Sequence, residues 1–378
     1  MNKNLIIVAS LVFFLSLGFV SRLPTALGAP SMDWDKLVAA AKKEGKVMVY
    51  GRGDPEVRKQ LTKAFSDKYG IDLEFVYLHR GGEMIGKLKK ERGAGLYLAD
   101  IIIHGATTML SGVKPAGMLE PLDPLLILPE VTDPKVYRHN YNFIDKDRTI
   151  KPLRALSALY LTRNTNLVKE GELKSYEDIL DPKWKGKMVM TDPTIFATGM
   201  GFVSYLNGIW GPEKTVVYLK KLVKQEPLVT RAAREPYEWI ARGKYHVGVA
   251  LRNEIMPEFL KIKAPLAKVS VKEPYAAEPG AGCIGVATKR PHPNAALLFL
   301  NWVLTKEGMT VWSKADGYAC ARKDVPTDWV YPSLSVGLGP DANVNHTTEE
   351  GHLQRRGQMK LSKEIFAPLL KRGKKGKK

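Results

Sequence analysis

Short, continuously apolar runs alternate along this chain with stretches in which apolar residues return every three or four positions. That alternation predicts strands separated by helices. Asp33 or Asp35 can cap a helix that runs to Lys43, with Gly45 as its stop. Residues 46–50 form a β run that leads into Gly51-Arg52-Gly53-Asp54-Pro55. Pro55 opens a helix in which Val57, Leu61, Ala64 and Phe65 recur at helical spacing before Gly70. A second strand over 71–77 runs into Arg80-Gly81-Gly82 and a helix to Glu91, and a third covers 100–103. Strands of this kind suit a mostly parallel sheet covered by helices on both faces.

The rhythm repeats in the middle of the chain. Residues 156–161 read as a strand, Ser175 caps a helix over 176–180, and Asp181-Pro182 breaks it. A strand over 187–190 leads through Asp192-Pro193-Thr194 into a helix containing Phe202 and Tyr205, and Pro212 starts another to Lys224. A strand near Leu228, a helix over 236–242 and a strand over 247–251 complete a second α/β unit. Residues 282–287 then form a strand. Pro293 starts a helix with Ala295, Leu298, Phe299, Trp302 and Val303 on one face and Gly308 at its end. Beyond Pro340 the chain is polar, with a late helix over 361–370, and no internal repeat is visible.

The first residues follow another pattern. Lys3 precedes a nearly wholly apolar run over 5–20, and Ala26 and Gly28 stand at the spacing a signal peptidase accepts. This predicts a secretory signal over 1–28, cut near Gly28 or Ala29, with an uncleaved anchor as the alternative. No cysteine sits near the cut to carry a lipid, and no later run is apolar enough to span a bilayer. The expected location is periplasmic or extracellular.

Composition is that of an ordinary soluble protein, with 44% hydrophobic and 26% charged residues, which argues against a disordered chain. The net charge of +19 invites a nucleic-acid reading, but six positives belong to the tail 371–378 and two to the leader. The remainder is dispersed and no nucleic-acid-binding motif accompanies it, so the excess hints instead at an anionic small ligand. Cys283 and Cys320 are the only cysteines. Export permits a disulfide between them, and two buried free thiols are the alternative.

Several segments together resemble the periplasmic-binding-protein type 2 components of ABC importers, in the branch around ferric-iron uptake. The strongest is Ser175-Tyr176-Glu177-Asp178-Ile179-Leu180-Asp181-Pro182-Lys183-Trp184-Lys185-Gly186-Lys187, followed by Thr191-Asp192-Pro193. Asn164-Thr165, Gly211-Pro212-Glu213-Lys214, Lys289-Arg290-Pro291-His292-Pro293-Asn294-Ala295-Ala296 and Leu304-Thr305-Lys306-Glu307-Gly308 fit as well. The resemblance implies an α/β protein of two lobes joined by crossing segments near 154–164 and 271–280. Lobe one would comprise 32–155 and 276–340, lobe two 156–275, and a C-terminal helix and basic tail 341–378. It further implies a ligand in the cleft, delivery to a membrane permease, and closure as the signal that the permease reads. A monomer without a cofactor or nucleic-acid partner is expected.

Ligands of open α/β sheets sit at the carboxyl ends of strands. That rule selects Arg52, Arg80, His104, Thr107, Asp192, Thr194, Thr198, Arg234, Arg252 and Asn253 as candidate ligand-binding residues. Each arginine alone reads better as a solvated or structural ion-pair residue. Jointly, Arg52, Arg80, Arg234 and Arg252 offer forked donors for a carboxylate, phosphonate or phosphate ester. Ferric iron is the competing ligand. The resembled branch binds it largely through paired tyrosines after the strand matching 247–251, yet here that loop reads Leu251-Arg252-Asn253-Glu254-Ile255. His79, His104 and Glu83 remain the available metal donors. Tyr237, Trp239 and Tyr245, with Glu254 and Asp192, leave an opening for a polyamine. No nucleophile elbow, phosphate-cradling loop or zinc-protease motif is present. A thiaminase-like enzyme using Cys283 and a structural envelope role are the alternatives from other classes.

Overall fold

A computed structural model describes residues 33–138, 142–157, 160–195, 197–275, 277–335 and 347–375. The leader expected over 1–28 lies outside the described residues. Twelve strands follow in chain order among those described: β1 (Lys46–Gly51), β2 (Asp72–Tyr77), β3 (Ile101–His104), β4 (Lys151–Pro152), β5 (Leu156–Ser157), β6 (Leu161–Asn164), β7 (Met188–Thr191), β8 (Leu228–Thr230), β9 (Val247–Val249), β10 (Leu266–Lys268), β11 (Ala277–Glu278) and β12 (Cys283–Val286). They build two five-stranded sheets, ordered β2-β1-β3-β12-β4 and β10-β6-β9-β7-β8. A two-stranded ribbon, β5 with β11, lies on the segments that run between them.

Each sheet has a parallel half and an antiparallel half. β2-β1-β3 and β9-β7-β8 are parallel, because a helix returns the chain between successive strands. β12 runs against β3 and β4, and β6 runs against β9 and β10. Both β6 and β12 follow a crossing segment, with no helix to reverse the chain. The strand expected over 156–161 is accordingly split between the ribbon (β5) and the second sheet (β6).

Local chemistry accounts for the helix ends. Asp33 caps the helix Trp34–Glu44 by accepting the Asp35 N–H at 3.0 Å. Ser175 and Asp178 form a reciprocal capping box on the short helix Tyr176–Leu180. The helix Thr198–Lys224 breaks at Gly211, whose φ of 78° favours glycine, and resumes at Pro212 as expected. One expectation is corrected near the C-terminal third. The helix Pro293–Leu304 ends before Thr305, which caps a second helix, Lys306–Asp316, by accepting the Gly308 N–H at 3.1 Å. Gly308 therefore sits inside the first turn of a new helix and does not end the old one.

Behind the first sheet, Phe65, Phe299 and Trp302 pack ring on ring, with Phe65 5.3 Å from Phe299. A separate cluster of Tyr160, Tyr176, Phe202 and Tyr205 fills the second half. The C-terminal helix Glu349–Lys375 lies on Thr198–Lys224 and buries Phe366 in that second cluster. Its extent exceeds the 361–370 expected. Among the described residues no helix is long and apolar enough to cross a membrane.

At the end of β1 the backbone is crowded. A methyl group on Gly51 would lie 2.0 Å from the Ile103 carbonyl oxygen. Gly51→Ala is therefore expected to cost about 1–3 kcal/mol by displacing β1 from β3. Chemical denaturation measures it; a loss below about 0.5 kcal/mol would mean that the strands separate freely.

Candidate functional site

The ends of β1 and β3, the turn after β9 and the start of the helix Thr198–Lys224 converge on one cavity of about 340 Å³. Arg52 follows β1, and its N–H donates to the Ile103 carbonyl at 2.8 Å. His104 ends β3. Thr107 and Thr108 open the helical stretch that follows, while Ala197 and Thr198 begin the long helix. Arg252 reaches the cavity from the loop after β9, and the Tyr237 hydroxyl fixes that loop by donating to the Arg252 carbonyl at 3.0 Å. Glu278 enters from the ribbon and accepts the Tyr160 hydroxyl at 2.6 Å. The C-terminal segment contributes Thr347 and Arg355.

Charge gives this lining its character. Three guanidinium groups, Arg52, Arg252 and Arg355, face a single carboxylate, Glu278. His104 adds no charge. Burial first, and then the neighbouring Arg52, push its pKa down to about 4, with the Leu78 and His79 backbone offsetting only part. Its Nδ1 accepts the Gly105 N–H at 2.8 Å, so the neutral ring carries its proton on Nε2. That nitrogen is buried and makes no close hydrogen bond among the described residues. A concave site with excess positive charge and a few fixed polar groups can hold a small anion.

The low His104 pKa has a stability consequence. The unfolded ring keeps its ordinary value of 6.5, so between about 4 and 6.5 the unfolded chain binds more protons. The contribution to stability is complete above pH 6.5 and is lost as pH falls toward 4. His104→Gln should flatten the acid side of a Tm-against-pH profile over that window; an unchanged slope would assign the acid loss to other groups.

Of the ten candidate residues, Arg52, His104, Thr107, Thr198 and Arg252 line the cavity. The other five do not line it. Arg80 is exposed at the start of the helix Gly81–Gly93. Arg234 is an ion-paired surface residue, 3.1 Å from Glu238 and also bound to Glu258. Asp192 is buried, accepts the Thr194 N–H at 2.8 Å and its hydroxyl at 2.6 Å, and pairs with Arg231. Burial raises its pKa, but these bonds outweigh that and hold it below the usual carboxylate range. Thr194 is thus a partner of Asp192, shaping the turn after β7. Asn253 accepts from Lys268.

The structure also places the residues behind the alternative readings. Tyr237 is core, stacked on Phe259 at 5.5 Å, and Trp239 packs on Tyr245 at 6.1 Å, and none of Tyr237, Trp239 and Tyr245 lines the cavity. His79 bonds Tyr77 at 2.9 Å, and no group of three metal-type donors occurs among the described residues. Cys283 and Cys320 are buried free thiols, so the disulfide that export permits is not formed. Burial pushes the Cys283 thiol far up and Cys320 to about 11, which keeps both protonated and poorly nucleophilic.

Among the charged and hydroxyl-bearing lining residues, Thr108, Glu278, Thr347 and Arg355 escaped the strand-end rule, Thr108 standing directly after the selected Thr107. Glu278 lies within the crossing segment at 271–280, where proximity to a cleft was already implied. Thr347 and Arg355 carried no signal, because their segment reads only as polar.

Two sheets, a two-stranded ribbon on the crossing segments and a polar cavity at the strand ends define a two-lobed solute-binding protein. Residues 60–333 match the sequence profile of the bacterial extracellular solute-binding proteins, and the chain belongs to that family. It is the solute-binding component of an ABC importer. An uncharacterized protein of Haemophilus influenzae is 24% identical over 289 residues, covering 73% of this chain and 78% of that one. Among solved structures, a Trichodesmium protein (IdiA, FutA) in complex with iron and citrate aligns over 85% of this chain and 99% of its own, with a TM-score of 0.67 and 18% identity. The periplasmic binding protein AfuA of Actinobacillus pleuropneumoniae, with fructose-6-phosphate bound, covers 85% and 98%, with a TM-score of 0.63 and 20% identity. A ferric iron-binding protein A of Mannheimia haemolytica, in an open conformation, gives 84%, 99%, 0.65 and 14%.

Proposed function

We propose that this chain, exported through its N-terminal signal as a monomer, captures a small organic anion and presents it to the permease without altering it. The ligand class is a carboxylate, phosphonate or phosphate ester. The observation that carries this reading is the cavity's three guanidinium groups set against one carboxylate. Arginine forks match the paired oxygens of such groups, and the cavity of about 340 Å³ suits a molecule of modest size. Two structural relatives hold ligands in this class, citrate beside iron in one and fructose-6-phosphate in the other. A bare ferric ion fits the lining less well. Among the described residues Glu278 is its one carboxylate and no tyrosine lines it, and the arginines would repel the cation.

A thermal-shift screen tests the proposal with carboxylates, phosphate esters, polyamines and ferric chelates. A true ligand at 100 times its Kd should add about 2.7 kcal/mol of stability. Stabilisation by ferric salts alone, with no response to citrate or sugar phosphates, would replace this reading with iron binding. Recovery of chemically altered ligand after incubation would make the protein an enzyme.

A further inference from the structure

We propose that the C-terminal helix Glu349–Lys375 completes the ligand site, with Arg355 as a third guanidinium on the bound anion and the helix fastened so as to slow its release. The inference rests on the organic-anion reading above. The family profile stops at residue 333, so this helix lies beyond the part of the chain that the profile matches.

Arg355 is only 7% exposed, yet it lines the cavity. Its Nε has no hydrogen-bond partner among the described residues, and its Nη1 lies 3.5 Å from the Thr107 hydroxyl, a long bond. Desolvating a guanidinium and leaving a donor unmade is costly. An anionic oxygen in the cavity would supply the missing acceptor.

The helix is also tied on both sides of the site. Toward the first sheet, both carboxylate oxygens of Glu349 accept from Lys114 at 2.7 Å, and its N–H donates to the Ile144 carbonyl at 2.9 Å. Ser111 and His352 meet at 2.5 Å. Toward the second sheet, Gln358 accepts the Ser204 hydroxyl at 2.7 Å, and Phe366 is fully buried. An element anchored to both halves adds bonds that must break before the ligand leaves.

Calorimetry and stopped-flow dissociation on the full chain test this, with citrate, fructose 6-phosphate and inorganic phosphate as probes. Arg355→Gln should weaken the tightest probe at least about tenfold, roughly 1.4 kcal/mol. Arg355→Lys keeps the charge but loses the fork, so it should lose less; it also decides the matter if the Gln variant does not fold. Glu349→Gln, outside the cavity, should speed dissociation about threefold with an unchanged association rate, by loosening a charged, half-buried tie. If Arg52→Ala weakens binding while both Arg355 variants bind as the wild type does, Arg355 is not a ligand contact and the organic-anion reading survives. Unchanged dissociation in Glu349→Gln would overturn the fastening. Failure of all three probes to bind the wild-type chain would overturn the organic-anion reading and this inference with it.

Discussion

Arg52→Ala is expected to weaken binding of the organic anion by about tenfold to a hundredfold, in line with the roughly 1.5–3 kcal/mol of a hydrogen bond to a charged group. Arg52 is the half-buried member of the arginine set and its backbone is pinned to Ile103, so its fork is presented with little freedom to lose. Arg252 is exposed, and its removal should cost less. The same substitution carries an internal control. Arg52 helps depress the His104 pKa, so Arg52→Ala should raise that pKa while leaving it below 6.5, because burial is the larger cause. Titration of the His104 ring by NMR reads this directly. Unchanged affinity with a shifted His104 would place Arg52 beside the ligand but not on it.

Asp316→Ala should be strongly destabilising, lowering the unfolding free energy by about 3–5 kcal/mol. Asp316 ends the helix Lys306–Asp316 and receives the Arg154 fork, with Nε 2.5 Å from Oδ2. Both side chains are nearly sealed from solvent, at 8% and 1% exposure. Deleting the carboxylate removes the charged partner of a nearly sealed guanidinium, whereas replacing both partners with apolar residues removes that charge as well. Arg154→Met with Asp316→Leu should therefore recover most of the loss. A cost below about 1 kcal/mol for Asp316→Ala in urea denaturation would mean that Arg154 finds another acceptor. Since Arg154 stands where the first crossing segment begins, Asp316→Ala should also alter ligand affinity, and calorimetry distinguishes that effect from simple loss of fold.

Much of the architecture was legible because local signals agreed with the fold. Asp33 and Gly45 bracket the first helix, Ser175 builds its capping box, and Gly211-Pro212 marks a break that the chain does make. The antiparallel strands were harder to read: β5 and β6 are too short for hydrophobic periodicity to separate them, and their direction depends on crossing segments. The strand-end rule found Arg52, His104 and Arg252, since β1, β3 and β9 do end at the cavity. It also selected Arg234 and Asp192, which do not line the cavity and whose partners Glu258 and Arg231 stand close by in space and not in an obvious sequence pattern. Arg355 was invisible for another reason. Its helix contains Gly351, Gly357 and Pro368, and such residues weaken helical propensity, so tertiary packing through Phe366 rather than local preference sustains it.

The two unbonded cysteines turn the chain into its own reporter of unfolding. Cys283 pairs with His104 across the strands beneath the cavity, and its thiol is sealed and protonated. A maleimide or iodoacetamide reagent can reach it only when β12 parts from β3. The rate of alkylation at Cys283 therefore counts openings of the sheet under the site, and a bound ligand should slow that count with no residue engineered.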